Sequence, residues 1–161
     1  MKTYENNEGG DTLEKLYTVK DIAIMTGLTE RTIRNYIKDG KLQGKKIGVQ
    51  WRFTEDDIKK LFEDENVSNN IMENNHDRVF NFLKSNPKSD TGAVIINVPV
   101  ASEDELESKV QQIVELVNRN ENLEFSYQYL KKDRIAQFTL IGNTKTIHEF
   151  METRGIWDEC E

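Results

Sequence analysis

Apolar positions between residues 17 and 62 recur with a helical period three times. Val19, Ile22 and Ala23, then Ile33, Tyr36 and Ile37, then Ile58, Leu61 and Phe62 each fall at i, i+3 and i+4, the spacing of one helix face. Between the second and third runs, Lys45-Lys46-Ile47 and Gln50-Trp51-Arg52-Phe53 flank Gly48-Val49. Gly at the first central position suits a type II′ hairpin. Thr18 with Asp21, and Thr54 with Asp57, have capping-box spacing, with Asp in place of the usual Glu or Gln. Thr29 stands where an N-cap is needed, and Gly40 where the second helix needs a positive φ to stop. Gly27-Leu28 fits the tight turn joining two packed helices. The pattern predicts helix, turn, helix, hairpin, helix.

The pattern changes after residue 62. Residues 63–75 are rich in Asn, Glu and Asp and read as an exposed polar linker, although Ile71 and Met72 offer a place to begin a helix. A helix is expected from His76 to Ser85, with Val79, Phe80 and Leu83 as its apolar side; Asn86-Pro87 ends it. Ala93–Val100 is a short, β-branched apolar run, hence a largely buried strand. Ser102 with Glu105 opens a long helix whose inward stripe is Leu106, Val110, Ile113, Val114 and Val117. Phe125–Tyr129 alternates as a strand, 131–133 turns, and Arg134–Ile141 returns beside it. Asn143 or Thr144 caps a last helix with Ile147, Phe150 and Met151 inward.

This order, β-α-β-β-α, places the chain in the α+β class: an N-terminal helix-turn-helix module followed by a split-βαβ (ferredoxin-like) unit without a clear last strand. Residues 155–158 would supply a short fourth strand or simply dock Trp157. Ile96 and Val98 point one way from the sheet and Ile95 the other. The surplus apolar face is expected to meet a second copy of the chain, giving a homodimer through this domain. Packing of that face on helix 76–85 or on the N-terminal module is the plainer alternative.

Length and composition set the boundaries. A chain of 161 residues, 36% hydrophobic and 32% charged, has room for two small domains: a loose arm over 1–16, the module at 17–62, the linker at 63–75 and the α+β domain at 76–161. Leu13 and Leu16 are expected to dock beside the first helix. No apolar run reaches a membrane span, MKTYENNEGG has no signal core, and a single cysteine, Cys160, excludes an internal disulfide. A cytoplasmic protein is expected. The net charge of −7 conceals an asymmetry: residues 17–62 carry +4, residues 63–161 carry −9, and 31–52 hold seven cations and one acid. A basic module on an acidic body is expected where one face alone meets phosphate.

On the second helix, Arg31, Arg34, Asn35 and Lys38 fall at i, i+3, i+4 and i+7, opposite the apolar face. These side chains suit guanine, adenine and phosphate, although a charged solvated helix face is common and carries little meaning alone. The neighbourhood adds the weight. Tyr17-Thr-Val-Lys-Asp-Ile-Ala23, Gly27-Leu-Thr-Glu-Arg-Thr-Ile-Arg-Asn-Tyr36, Gly40-Lys-Leu42, Lys46-Ile-Gly48 and Trp51-Arg52 resemble the MerR-type winged helix-turn-helix, and more closely its short variant in phage excisionase-like regulators. The resemblance covers about 46 of the 161 residues. It implies a second helix in the major groove, contacting through Thr29, Arg31, Thr32, Arg34, Asn35 and Lys38. It also implies a wing on the backbone through Lys45, Lys46, Gln50 and Arg52. The chain departs from full-length MerR regulators in having no heptad coiled coil after the module and no cysteine ligands for a sensed metal.

The function expected is a sequence-specific DNA-binding transcriptional regulator whose partner is double-stranded DNA. Alternatives are an excisionase-like architectural factor that bends DNA for a recombinase, and an adaptor that uses the winged fold on another protein. An enzyme is not expected. There is no Walker loop, G-x-G-x-x-G, H-E-x-x-H or Cys/His cluster, and His76 and His148 lie far apart. Asp56 and Asp57 read as first-turn acids serving a helix dipole rather than a catalytic pair. No catalytic, cofactor or metal residues are assigned, and no motif points to a small-molecule effector.

Overall fold

A computed structural model describes residues 14–86, 88–153 and 156–157. Most of the arm expected over 1–16, with Leu13, lies outside the described residues, as does Cys160. The N-terminal part folds as α1 (Val19–Thr26), α2 (Glu30–Lys38), β1 (Lys45–Ile47), β2 (Gln50–Arg52) and α3 (Glu55–Glu63). Both capping boxes form: the hydroxyls of Thr18 and Thr54 accept from the N–H of Asp21 and Asp57, whose carboxylates reach back to the cap N–H at 2.8 and 2.9 Å. Gly27 (φ 70°) ends α1, Gly40 (φ 76°) follows α2, and at the hairpin tip Gly48 takes φ 62° while Val49 does not turn left-handed, as a II′ turn requires. An isolated bridge between Tyr17 and Phe53 joins the entry of α1 to the end of the hairpin. Leu16 is exposed rather than docked.

The second part consists of α4 (Glu65–Lys84), β3 (Thr91–Pro99), α5 (Glu103–Asn118), β4 (Leu123–Leu130), β5 (Ile135–Asn143) and α6 (Thr144–Met151). The three strands form one antiparallel sheet in the order β3-β5-β4. Val94, Ile96 and Val98 share a face with Leu140, Phe138 and Ala136 and with Phe125, Tyr127 and Tyr129. The stripes of α5 and α6 pack on that face, and Trp157 closes it, edge-on to Phe138 and donating its indole N–H to the Phe150 carbonyl at 3.1 Å. Of the tail at 155–158, Ile156 and Trp157 are described; they dock and do not form a strand.

Two expectations are corrected. The stretch 63–75 is not a linker: Glu63 ends α3, Asp64 is the cap, and 65–75 form the first half of α4, a helix of 20 residues. Asp64 starts it, its carboxylate accepting from Asn66 and Val67 N–H at 2.9 and 3.1 Å, and Val67, Ile71 and Asn75 form a buried stripe one residue wide. Poor helix propensity of the Asn-rich sequence is overridden by packing. The domain expected to begin at 76 therefore has no break there. In addition, Phe80 and Leu83 do not face inward: the last turns of α4 leave them 54% and 73% exposed, because the buried stripe runs along a different side. A smaller adjustment concerns α5, where Glu105 reaches the N–H of Ala101, not that of Ser102, at 2.9 Å.

The two parts share one core. Gly27 sits at the joint. Its carbonyl accepts from Asn74 and from Arg78 at 2.9 and 3.2 Å, and Arg78 also bonds Glu124 on β4. A Cβ at Gly27 would lie 2.5 Å from the Arg78 guanidinium and 2.8 Å from Ser126. Asn118 of α5 donates to Asp21 of α1 at 2.8 Å, and Lys15 pairs with Glu115 at 2.8 Å. The face of the sheet carrying Ser126 is thus covered at β4 by the Gly27 turn and α4, while at β3 Ile95 is 52% exposed.

Candidate nucleic-acid interface

Helix α2 separates two chemistries cleanly. Ile33 and Tyr36 are buried and Ile37 is half-buried, whereas Arg31, Arg34, Asn35 and Lys38 are exposed. Thr29 caps the helix: its hydroxyl accepts from Thr32 N–H at 3.1 Å and lies 2.9 Å from the Thr32 hydroxyl. The two hydroxyls are therefore engaged in starting the helix, Thr29 exposed and Thr32 half-buried. Arg34 pairs with Glu30 one turn earlier at 2.7 Å. Such an exposed pair contributes only about 0.3–0.5 kcal/mol, so it orients the guanidinium without sequestering it. Arg31 and Lys38 form no ion pair among the described residues.

The hairpin places its four candidate residues on two faces. Lys45 stands opposite Arg52 and Gln50 opposite Ile47, while Lys46 stands opposite Trp51 on the other side of the ribbon. Lys45, Lys46 and Gln50 are exposed. Arg52 is half-buried and folds back, donating to the Trp51 carbonyl at 3.0 Å and to the Gln50 side chain. Trp51 stacks on Phe53 with ring centres 6.4 Å apart, so it packs onto the core. The ribbon is tied to α2 through buried Leu42, whose N–H bonds the Tyr36 carbonyl at 3.0 Å.

One cation escaped the pattern reading. Lys41, exposed between Gly40 and buried Leu42, lies 5.7 Å over the Tyr36 ring at the end of α2. Its position beside the helix-ending glycine is a signal the apolar period alone does not register. Three of the six acids of residues 17–62 are engaged elsewhere: Asp21 and Asp57 close capping boxes, Asp21 also meets Asn118, and Glu55 meets Gln111 of α5, whereas Glu30 and the exposed cap Asp39 belong to α2. What α2 presents outward is still net positive.

Two short helices joined by a glycine turn, the second carrying an exposed basic face, define a DNA-binding helix-turn-helix domain. Residues 16–66 match the helix-turn-helix domain family, so the N-terminal third of the chain carries such a domain. Comparison with curated proteins and with solved structures finds no match. Among the described residues no helix is long and apolar enough to cross a membrane.

Proposed function

We propose that this protein is a sequence-specific DNA-binding transcriptional regulator of the MerR/excisionase type, with the β1–β2 hairpin as its wing. The reading rests on one observation: the second helix of a matched helix-turn-helix domain turns Arg31, Arg34, Asn35 and Lys38 to solvent while Ile33 and Tyr36 are buried beneath it. In this reading α2 enters the major groove, where Arg can fork onto guanine and Asn can pair with adenine. Lys45, Lys46, Gln50 and Arg52 meet the backbone, Arg52 by swinging away from Gln50. Thr29 and Thr32 approach phosphate at the start of α2, where the helix dipole favours an anion.

The β3-α5-β4-β5-α6 unit reads as a split-βαβ fold in which β3 has a free edge, and we assign it to homodimerisation. The support is exposed Ile95 on β3 together with Phe80 and Leu83 on α4. Two copies would present two recognition helices to a repeated or inverted site, compensating for the few contacts one module makes.

Selection of bound sequences from random duplex DNA tests the reading directly. A defined consensus is expected, with affinity falling by about 0.9 log units per log unit of salt for each phosphate neutralised. A folded protein that leaves every duplex unbound at low salt would refute it and transfer the function to protein interaction.

A further inference from the structure

A cavity of about 570 Å³ opens where the two parts of the chain meet, between α3, α4, α5 and β4. That volume lies within the range of about 300–1,000 Å³ typical of small-ligand pockets. Its apolar wall comprises Phe62, Met72 and Tyr127, with Phe62 and Tyr127 rings 5.8 Å apart. Its polar wall includes Tyr17, Glu55 and Glu107, and Lys59 and Lys131 line it too. Tyr17 donates to Glu55 at 3.4 Å, Gln111 donates to the same carboxylate, and Glu107 lines the same cavity with Lys59 at 3.8 Å. Tyr127 lines the cavity.

This combination selects by charge. Glu55, Glu63, Glu103 and Glu107 outnumber Lys59 and Lys131 along the cleft, so it disfavours an anion and keeps an acidic excess that a cation can neutralise. A metal ion is disfavoured because no group of three or more His, Cys, Asp or Glu side chains able to hold one is assembled among the described residues. An ammonium group flanked by carbon satisfies both walls: the carboxylates neutralise it and the aromatic faces of Tyr127 and Phe62 attract it. We infer that this inter-unit cleft is a binding site for a small organic cation, its charge held by Glu55 and Glu107 and its apolar groups packed on Phe62, Met72 and Tyr127.

The empty site manages its acids by retaining a proton. Burial, then the hydrogen bond that protonated Glu107 donates to Glu55 and the Glu55 charge, push the Glu107 carboxyl up to about 7, with Lys59 opposing from 3.8 Å. The groups facing it are Glu55 and Lys59 on α3, Asp104 and Glu103 on its own helix, Tyr17 ahead of α1, and Tyr127 with Lys131 at the end of β4. A cation entering beside Glu107 displaces the proton it holds, so binding releases a proton and strengthens as pH rises.

Calorimetric titration of the full chain with benzyltriethylammonium tests this, since the charge of that ligand does not change with pH. We expect saturable one-to-one binding, tighter at pH 8 than at pH 6, with proton release revealed by the dependence of the heat on buffer. Neutral N,N-diethylbenzamide and anionic benzenesulfonate should bind about tenfold more weakly or not at all, as expected when a charge-assisted contact is lost. Glu107→Gln should weaken the cation to a similar degree. No saturable binding of the cation, equal binding of the amide, or unchanged affinity in a folded Glu107→Gln protein would each overturn the assignment. The wild-type pH and ligand comparisons hold the test even if the variant fails to fold.

Discussion

The helix-turn-helix domain and the unit that follows it are ordered by different kinds of information. In residues 17–62 nearly every element begins or ends at a residue whose own chemistry requires it: Thr18 with Asp21, Gly27, Thr29, Gly40, Gly48, and Thr54 with Asp57. In the second unit, β3 pairs with β5 from Thr91↔Asn143 to Pro99↔Ile135, contacts across tens of residues that no short window contains. The charges differ as well, +4 in residues 17–62 against −9 in 63–161. Part of that acidity faces the basic domain, through Glu107 near Lys59, and Glu115 pairs with Lys15 just ahead of it. The difference teaches that the outward face of the first domain follows from local sequence, whereas its placement on the body depends on the second.

The largest effect is expected where the two regions meet. Gly27→Ala places a side chain at φ 70° and drives its Cβ to 2.5 Å from Arg78 and 2.8 Å from Ser126. Backbone strain and overpacking together should cost about 3 kcal/mol or more. Urea denaturation followed by Trp fluorescence should show one transition moving to lower urea, since Trp51 lies in one region and Trp157 in the other. Two separated transitions in the wild type would break the comparison, because the regions would then fold independently.

The next effect separates recognition from folding. Arg31→Ala and Arg34→Ala should each reduce duplex affinity by about 1–3 kcal/mol if the side chain reads a base, and flatten the salt dependence if it meets phosphate. Both are exposed, so stability should change by less than about 0.5 kcal/mol. Gel-shift affinity unaltered by both substitutions in folded protein would move the contact surface away from α2.

Legibility followed the same divide. Capping residues, the hairpin glycine and the exposed cations of α2 stand in the sequence because each is tied to its own backbone. The inward stripe of α5, Leu106 to Val117, was equally readable from its period. Helix α4 was readable only in its second half, the helix expected over 76–85; its first half was not, because its buried side is only Val67, Ile71 and Asn75 and its Asn residues resemble a loop. Its partner groups, Gly27 and Glu124, lie 51 and 46 residues from Arg78. The cavity was invisible for the same reason: Glu55 and Glu107 belong to different helices and meet only after assembly.

A smaller effect probes that meeting point. Glu107 is held up to about 7, above its ordinary value of 4.5, so the folded state binds the proton more tightly than the unfolded chain. The contribution is therefore fully present below pH 4.5 and is lost as pH rises through 7. Glu107→Gln should remove this slope, leaving the variant more stable than wild type at pH 8 relative to pH 5 by about 1–2 kcal/mol. Parallel stability curves for the two proteins between pH 5 and 8 would show that Glu107 does not retain its proton at the joint.

The smallest effect is diagnostic through its sign. Glu30 sits in the first turn of α2 and pairs with Arg34 at 2.7 Å. Glu30→Ala removes an acid from the helix N-terminus and an exposed ion pair, so stability should fall by about 0.3–1 kcal/mol. The same change frees the Arg34 guanidinium and deletes a negative charge beside the surface proposed to meet phosphate, so duplex affinity should rise. Opposite movements of stability and affinity distinguish Glu30 as a competitor for Arg34 from Glu30 as its guide. If affinity fell together with stability, the ion pair would be aiming the guanidinium at DNA, and the free orientation of Arg34 would then be part of the binding cost.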